Sequence, residues 1–312
     1  MKYTDLRDSR KKERTTPEGV VFHNWEEGNR LNEVAVFKSM RHLVEGMNEK
    51  KDYLSSDYKG YWYDDDEWRF GSEYQDMDAT SEALKNSIPT DNTINMLNDM
   101  RKELSTNEKV LKLMRKADSF KRKRIFKETG DELCIDRVLC GDPLHWQSTT
   151  KRGSTDVVQI HVSYTLSCGN SEEEFQKIAC LATIACELLQ KAGKNVEIVA
   201  LGTARGLLEG GDVGSRAGIM FPLKRADEPL DVSKIACIGV SGLFRAYTFA
   251  AWEGTLEADR LTRGLGRSEE FTKSEREALG VKHMIHQSWT KDAGQQVCFL
   301  EEVFNNLNET KS

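Results

Sequence analysis

An apolar stretch, a polar turn, a long amphipathic stretch and a second apolar stretch follow one another between residues 156 and 202. Residues 157–162 and 196–201 are mostly apolar, which is typical of buried strands. Between them, apolar residues recur at helical spacing from 172 to 192, and Gly193 follows. This order predicts a strand–helix–strand unit, in which parallel strands are joined by a covering helix through a right-handed crossover.

Similar patterns continue toward the C-terminus. Three further apolar runs predict strands at 218–223, 235–240 and 281–286. Helical spacing predicts helices at 243–260 and 293–307. We therefore expect an α/β fold, with a doubly wound and mostly parallel sheet, over residues 129–312.

The pattern before residue 129 is different. Residues 1–19 are charged throughout and predict a flexible arm, and residues 20–128 predict a mainly helical region. Apolar residues spaced by three or four predict a helix at 32–47. Thr93 is expected to cap a second helix, and Ser105 with Glu108 has the spacing of a capping box for a third.

Composition excludes several classes of protein. The chain has 312 residues, of which 31% are charged and 38% hydrophobic, so it is globular rather than disordered. A net charge of -6 gives no overall bias toward nucleic acid or membranes. Seven cysteines without a C-x-x-C motif suggest buried thiols in a reducing compartment. With no signal-peptide core and no 18-residue apolar run, a cytoplasmic protein without a membrane partner is expected.

A turn of alternating hydroxyl residues follows the first strand of the strand–helix–strand unit. Ser163, Thr165 and Ser167 lie at the carboxyl end of that strand, where open α/β sheets bind ligands. Such hydroxyls can bind a divalent cation, a phosphate or a partner's carboxylate, or they can simply form and cap the turn. The acidic start of the following helix, residues 172–174, fills the positive helix end and argues against phosphate.

A glycine-rich segment follows the second strand at residues 202–214. Its spacing matches neither G-x-G-x-x-G nor the P-loop, so nucleotide binding has no support from a motif. We interpret the segment as a connection between strands.

Basic residues are concentrated between positions 109 and 127. The run includes Lys121, Arg122, Lys123 and Arg124, and such density can bind phosphate backbones. A solvated helix face, or ion pairs with the acidic segment 64–78, explains the same pattern equally well.

Catalytic and metal-binding motifs are missing from the sequence. His283 and His286 are three residues apart in a predicted strand, so they would face opposite sides. No G-x-S-x-G, H-E-x-x-H or Cys/His signature occurs, which argues against the common enzyme classes. A hydrolase with an unfamiliar site would have to use the acidic residues and histidine near the strand ends, namely Asp142, His145, Glu209 and Asp212.

The order of the segments resembles a family of uncharacterised proteins carried by bacteriophages and plasmids. The resemblance rests on GDELCIDRVLCGDPLHWQ (130–147), the strand–helix–strand unit (157–201), LDVSKIACIGVSGLFRAYTFAAWE (230–253), and the last strand and helix (281–307). The segment FGSEYQDMDATSEALKNS (70–87) fits the same pattern.

The C-terminal part of that family is similar to von Willebrand factor A domains. The resemblance implies a Mg²⁺ site of the form D-x-S-x-S, completed by a threonine and an aspartate from later loops. Ser163, Thr165 and Ser167 match these positions, but Ser163 replaces the aspartate. Losing the anionic ligand weakens binding of a hard cation, so a degenerate site with at most weak Mg²⁺ affinity is expected. Thr203 is a loose match to the later threonine.

Two functions follow as hypotheses. The first is a non-enzymatic binding or assembly protein of a bacteriophage or related element, with a protein partner at Ser163–Ser167. An AAA+ ATPase is the partner that the resemblance suggests, and the host cytoplasm or the virion is the expected location. The second is nucleic-acid binding through residues 109–127.

Overall fold

A computed structural model defines the architecture. It describes residues 13–27, 30–50, 54, 69–74, 76–118, 124–127, 132–133, 135–144, 146–149, 157–166, 170–207, 213–255 and 272–309.

Seven strands form the main sheet. Along the chain they are β1 (Glu13–Thr15), β2 (Val21–Glu27), β3 (Arg30–Val36), β7 (Val157–Ser163), β8 (Asn195–Leu207), β9 (Val213–Lys224) and β10 (His283–Ile285). Their order across the sheet is β1-β2-β3-β9-β8-β7-β10. Strands β8, β7 and β10 run parallel to one another, as do β3 and β9, whereas β8–β9, β2–β3 and β1–β2 are antiparallel. The predicted α/β class is confirmed.

Most of the other described residues are in helices. They are α1 (Met40–Asn48), α2 (Met77–Asn86), α3 (Asp91–Thr106), α4 (Glu108–Asp118), α5 (Ile135–Leu139), α6 (Glu172–Lys191), α7 (Val232–Ala236), α8 (Phe249–Thr255), α9 (Lys273–Ala278) and α10 (Ala293–Glu309). A π-helix at Leu243–Thr248 precedes α8, and short 3-10 helices lie at Cys237–Gly239 and Gln287–Thr290. A second, small antiparallel sheet has the order β4-β6-β5, from Arg124–Lys127, Trp146–Thr149 and Glu132–Leu133.

Helix α6 is the centre of the core, and its limits agree with the predicted helix at 172–192. Apolar residues cover so much of its surface that thirteen of its twenty residues are buried. Ser171 and Glu174 form a capping box at its start, and Gly193 follows its end with φ +73°. The free thiols of Cys180 and Cys186 are buried in this helix, and burial raises the pKa of each.

The two faces of the sheet are covered differently. One large apolar cluster joins the α6 face of the sheet to residues from α1, α2, α3, α4, α8 and α10. The opposite face has a small cluster, in which Leu201 and Met284 pack with Leu279 and Val281 just after α9. Among the described residues, α9 is therefore the helix that approaches this second face.

Two predicted elements were wrong, one of them entirely and the other in part. Residues 235–240, expected to be a strand, belong to α7 and the following 3-10 helix. The Asp231 side chain accepts a hydrogen bond from the Lys234 N–H and starts a helix there, and a short apolar run cannot by itself distinguish a strand from a buried helix. The helix expected at 32–47 begins only at Met40, because residues 30–36 are strand β3.

The predicted helix starts near residues 93 and 105 were displaced by a few residues. Thr90, rather than Thr93, caps α3, since its Oγ1 accepts the Thr93 N–H at 3.1 Å. Asn107, rather than Ser105, precedes α4 and accepts the Lys109 N–H at 3.0 Å. The predicted helix at 243–260 starts as the π-helix and continues as α8 to Thr255, and residues 256–260 lie outside the described part.

The predicted division into an arm, a helical region and an α/β region cuts through one continuous sheet. Strand β1 lies inside the expected arm, and β3 pairs with β9 from Glu33↔Ala217 to Val36↔Met220. In the described ranges no single helix has the length and apolarity to cross a membrane, although the bent pair Val232–Gly239 and Leu243–Trp252 passes that test together.

Candidate functional site

The hydroxyl turn lies where the sequence places it, directly after β7. Ser163 is the last residue of that strand, and Thr165 follows two residues later. Both side chains are buried, and Ser167 lies outside the described residues. Tyr164 between them packs on Phe221 and Phe244 in the core. Tyr164 therefore anchors the turn in the large apolar cluster.

Thr165 and Thr203 are brought together by a direct hydrogen bond. The Thr203 N–H in β8 donates to Thr165 Oγ1 at 2.7 Å. The Thr203 hydroxyl in turn accepts from Arg216 Nη1 at 3.2 Å. Thr203, the loose match to the later threonine, thus contacts the turn after β7 from within strand β8.

Arg216 in β9 joins these hydroxyls to α9. Its Nε donates to Glu275 Oε1 at 2.8 Å, and the side chains of both residues are at most 1% exposed. The Arg216 N–H donates to Asn32 Oδ1 in β3 at 2.8 Å. We call Asn32, Thr165, Thr203, Arg216 and Glu275 the Arg216 network. It connects β3, β9, β8, the turn after β7 and α9 in the interior.

The charge of this network argues against a bound metal ion. Thr203 already contacts a guanidinium group, and a divalent cation at the same hydroxyl would be repelled by it. Within the described part of the chain, no group of three or more His, Cys, Asp or Glu residues is placed to hold a metal ion.

The start of α6 is occupied by the protein's own carboxylates. Glu172 accepts hydrogen bonds from the Ser72 N–H at 2.8 Å, the Ser72 hydroxyl at 2.7 Å and the Ser241 hydroxyl at 3.1 Å. Glu174 accepts from the Ser171 N–H at 3.1 Å and from Gln287 Nε2 at 2.6 Å. These anions take the position at the helix dipole that a phosphate would need.

A buried tyrosine connects the turn to the π-helix. The Tyr164 hydroxyl lies 2.9 Å from Thr248 Oγ1, and Thr248 donates to the Leu243 carbonyl oxygen at 2.9 Å. Burial raises the pKa of Tyr164 well above its usual value of 10. Gly202 lets β8 approach this ring, because a Cβ at that position would lie 2.7 Å from the Tyr164 hydroxyl oxygen. Tyr164 therefore has a packing role, and it stays neutral at ordinary pH.

Two histidines lie near the turn but form no metal site with each other. His161 is buried in β7, and burial together with nearby His283 lowers its pKa to about 4. His283 belongs to β10, and burial lowers its pKa as well. His286 lies beyond β10, where its Nδ1 is 2.8 Å from the Ser288 hydroxyl.

The basic segment is split between several elements. Lys112 and Arg115 are exposed one turn apart on α4, and Lys109 pairs with Glu301 of α10 at 3.5 Å. Arg124 begins β4, opposite Thr149 of β6. Lys121, Arg122 and Lys123 lie outside the described residues, so their proposed role remains a prediction.

Sequence reasoning located Thr165 but missed Arg216 and Glu275. Arg216 could have been noticed in the sequence as a charged residue within the largely apolar strand 213–224. Glu275 has a readable capping-box partner in Thr272, but that pattern predicts an exposed helix start rather than a buried ion pair. Only the fold brings these two side chains together.

Comparison with known proteins gives one family. A family model described as a domain of unknown function (DUF7192) matches residues 22–311, which is nearly the whole chain. No curated protein and no solved structure matches.

Proposed function

We propose that this chain, which belongs to the DUF7192 family, is a non-enzymatic binding or assembly protein that contacts a protein partner at the carboxyl end of β7. The observation that carries the proposal is the Arg216 network. It uses the Thr165 and Thr203 groups internally and holds the Arg216 guanidinium against the Thr203 hydroxyl. Such a network supports a rigid surface for recognition rather than a reacting centre.

Exposed acidic residues on α6 and on the segment that Glu172 binds favour a partner of opposite charge. Glu172 holds Ser72 against the start of α6, where Glu173 is exposed. Glu73, exposed on the Ser72 segment, accepts the Asp91 and Asn92 N–H groups at the start of α3. Exposed Asp76 and Asp78 follow at the start of α2. A partner with basic groups would complement this acidic rim (Glu73, Asp76, Asp78 and Glu173), and its binding would weaken as salt is added.

Charge reversal at the rim tests the proposal. Proteins captured from cells by the wild type are compared with those captured by Glu173→Lys. The matched control is Glu103→Lys, an exposed acid near the far end of α3. Glu173 forms a surface ion pair with Lys177 at 2.7 Å, and exposed pairs contribute little to stability, so its replacement should leave the fold intact. Loss of a specific protein with Glu173→Lys alone supports the proposal, and identical partner sets for all three proteins would refute it.

We also propose the finer assignment of residues 129–312 as a degenerate von Willebrand factor A-like domain. Support comes from the strand order β9-β8-β7-β10, which has the 3-2-1-4 arrangement of a doubly wound sheet with β7 as its first strand. An antiparallel strand is common in such sheets, but β9 departs from the usual pattern because it also pairs with β3.

The biological setting remains part of the proposal. The resemblance to proteins of bacteriophages and plasmids favours a role in such an element, in the host cytoplasm or in the virion, with an AAA+ ATPase as partner. An AAA+ ATPase among the proteins whose capture depends on Glu173 would support this. Mass spectrometry of purified virions would distinguish a virion component from a cytoplasmic protein.

A second candidate function is nucleic-acid binding through residues 109–127. The observation in its favour is the pair Lys112 and Arg115, exposed together on α4. Binding to DNA and RNA oligonucleotides at about 50 mM salt should fall steeply as salt rises. It should also be lost in Lys112→Glu/Arg115→Glu but retained in Lys102→Glu, an exposed lysine on α3. No binding at the lowest salt would exclude this function.

A further inference from the structure

Four aliphatic side chains are exposed together on one short segment. Ile135 is 67% exposed and Leu139 is 80% exposed, and Val138 and Leu144 are exposed as well. They make up most of the large hydrophobic residues that are exposed in the described part of the chain. Clustered apolar groups in water usually mark a surface that another molecule covers. We call residues 135–144 the knob.

The knob is ordered by its own hydrogen bonds. Arg137 Nη1 pairs with Asp142 Oδ2 at 2.9 Å and donates to the Leu144 carbonyl oxygen at 3.2 Å. The Gly141 N–H donates to the Val138 carbonyl oxygen at 3.0 Å, and Gly141 takes the left-handed conformation at φ +73°. A preformed apolar surface loses little conformational entropy when it binds.

The same chain has an apolar groove that accepts such a group. It lies between α3, α4 and the last turns of α6, and its volume is about 620 Å³. Its apolar lining consists of Leu104, Val110, Met114, Ile184, Leu188 and Leu230. Arg101 pairs with Glu187 at one side, and Lys191 is exposed at the end of α6.

Knob and groove also have opposite charges. The knob has the acidic residues Asp136 and Asp142 against one basic residue, Arg137, so its net charge is negative. The charged residues that line the groove are Arg101, Glu187 and Lys191, so its net charge is positive. An acidic apolar projection thus complements a basic apolar groove on the same molecule.

We propose that the knob of one copy of this chain docks into the groove of a second copy. The contact is heterologous, since the two copies use different surfaces, so a pair of bound copies still has one free knob and one free groove for further growth. Such an arrangement builds rings or open filaments. The knob can bury only on the order of a few hundred Å², less than the about 1,200 Å² of ordinary stable interfaces, so each contact is weak.

Sedimentation velocity on the full chain, from about 1 μM to about 1 mM, tests the proposal. The wild type should form species that grow with concentration. Leu139→Asp disables the knob, and Ser105→Trp blocks the groove at an exposed lining residue, so each variant alone should be monomeric. The matched controls are Ile88→Asp, an exposed apolar residue elsewhere, and Thr106→Trp, an exposed neighbour of Ser105 that does not line the groove, and both should assemble like the wild type.

Mixing the two disabled variants gives the decisive result. Leu139→Asp retains a groove and Ser105→Trp retains a knob, so together they should form a 1:1 dimer that grows no further. A monomeric wild type at every concentration would overturn the proposal, as would a dimer of Ser105→Trp alone, which would indicate knob-to-knob contact. Glu173→Lys should assemble like the wild type, so this test is independent of the acidic rim and of the proposed function.

Discussion

Arg216 Nε and Glu275 Oε1 meet 2.8 Å apart in the interior, and water reaches neither side chain. This pair fixes α9 to β9 on the face of the sheet that has the smaller apolar cluster. The ion pair and the packing of Leu279 and Val281 together attach that helix to the sheet.

Removing either partner should destabilise the protein strongly. Arg216→Met or Glu275→Leu leaves one charge buried without its counterpart, and each should lower the free energy of unfolding by about 3–5 kcal/mol. Arg216→Met combined with Glu275→Leu should cost less than the sum of the single changes. Urea unfolding measures all three. Single variants that lose less than about 1 kcal/mol would show that the pair is not buried as described.

The Thr165 side chain should stabilise the protein through its hydroxyl oxygen rather than through its methyl group. Thr165→Val leaves the buried Thr203 N–H without its acceptor, which should cost about 1–3 kcal/mol. Thr165→Ser retains the acceptor and serves as the control, with a smaller loss. Equal losses for valine and serine, measured by urea unfolding, would contradict this role.

Stability should fall in mild acid because of His161. The folded protein holds this side chain neutral, with a pKa of about 4 instead of 6.5. Between these two pH values the unfolded chain binds more protons than the folded protein. The free energy of unfolding should therefore decrease as the pH is lowered through that window, by up to about 3 kcal/mol.

A His161→Phe variant isolates this contribution from the carboxylates that titrate nearby. Urea unfolding of both proteins at several pH values between 4 and 7 gives the difference in slope. The variant should show a flatter dependence over the upper part of the window. Parallel curves would mean that His161 titrates normally in the folded state.

Gly71 should tolerate alanine less well than Gly280 does. Both have positive φ, +98° and +68°, so alanine strains the backbone at either position. At Gly71 a Cβ would also lie 2.5 Å from Glu172 Oε1, whereas nothing lies within 4 Å at Gly280. Gly280→Ala should cost about 1 kcal/mol, and Gly71→Ala clearly more. Thermal unfolding that gives the same loss for both would exclude the close approach of Glu172.

Elements with a strong local pattern could be predicted from the sequence. Helix α6 has its capping box, its continuous apolar period and its glycine stop within 23 residues, and strand β7 precedes it with continuous burial from Ile160 to Ser163. Residues 235–240 have no such pattern, because six apolar residues fit a strand and a buried helix equally well.

Only the residues of the site that follow a local sequence pattern could be predicted. Ser163 and Thr165 follow a recognisable strand end, and the strand-end rule places them at the sheet edge. Arg216 and Glu275 are 59 residues apart, and no spacing rule connects them. The role of α9 in the site emerges only when the chain is folded.

The pairing of β3 with β9 has a consequence for synthesis on the ribosome. Asn32 and Arg216, which are bonded across these strands, are 184 residues apart. Strands β1 to β3 are made first, yet their place in the sheet exists only after β9 has emerged. The nascent chain must keep a strand edge unpaired during that interval, and such an edge is where newly made proteins aggregate or recruit chaperones.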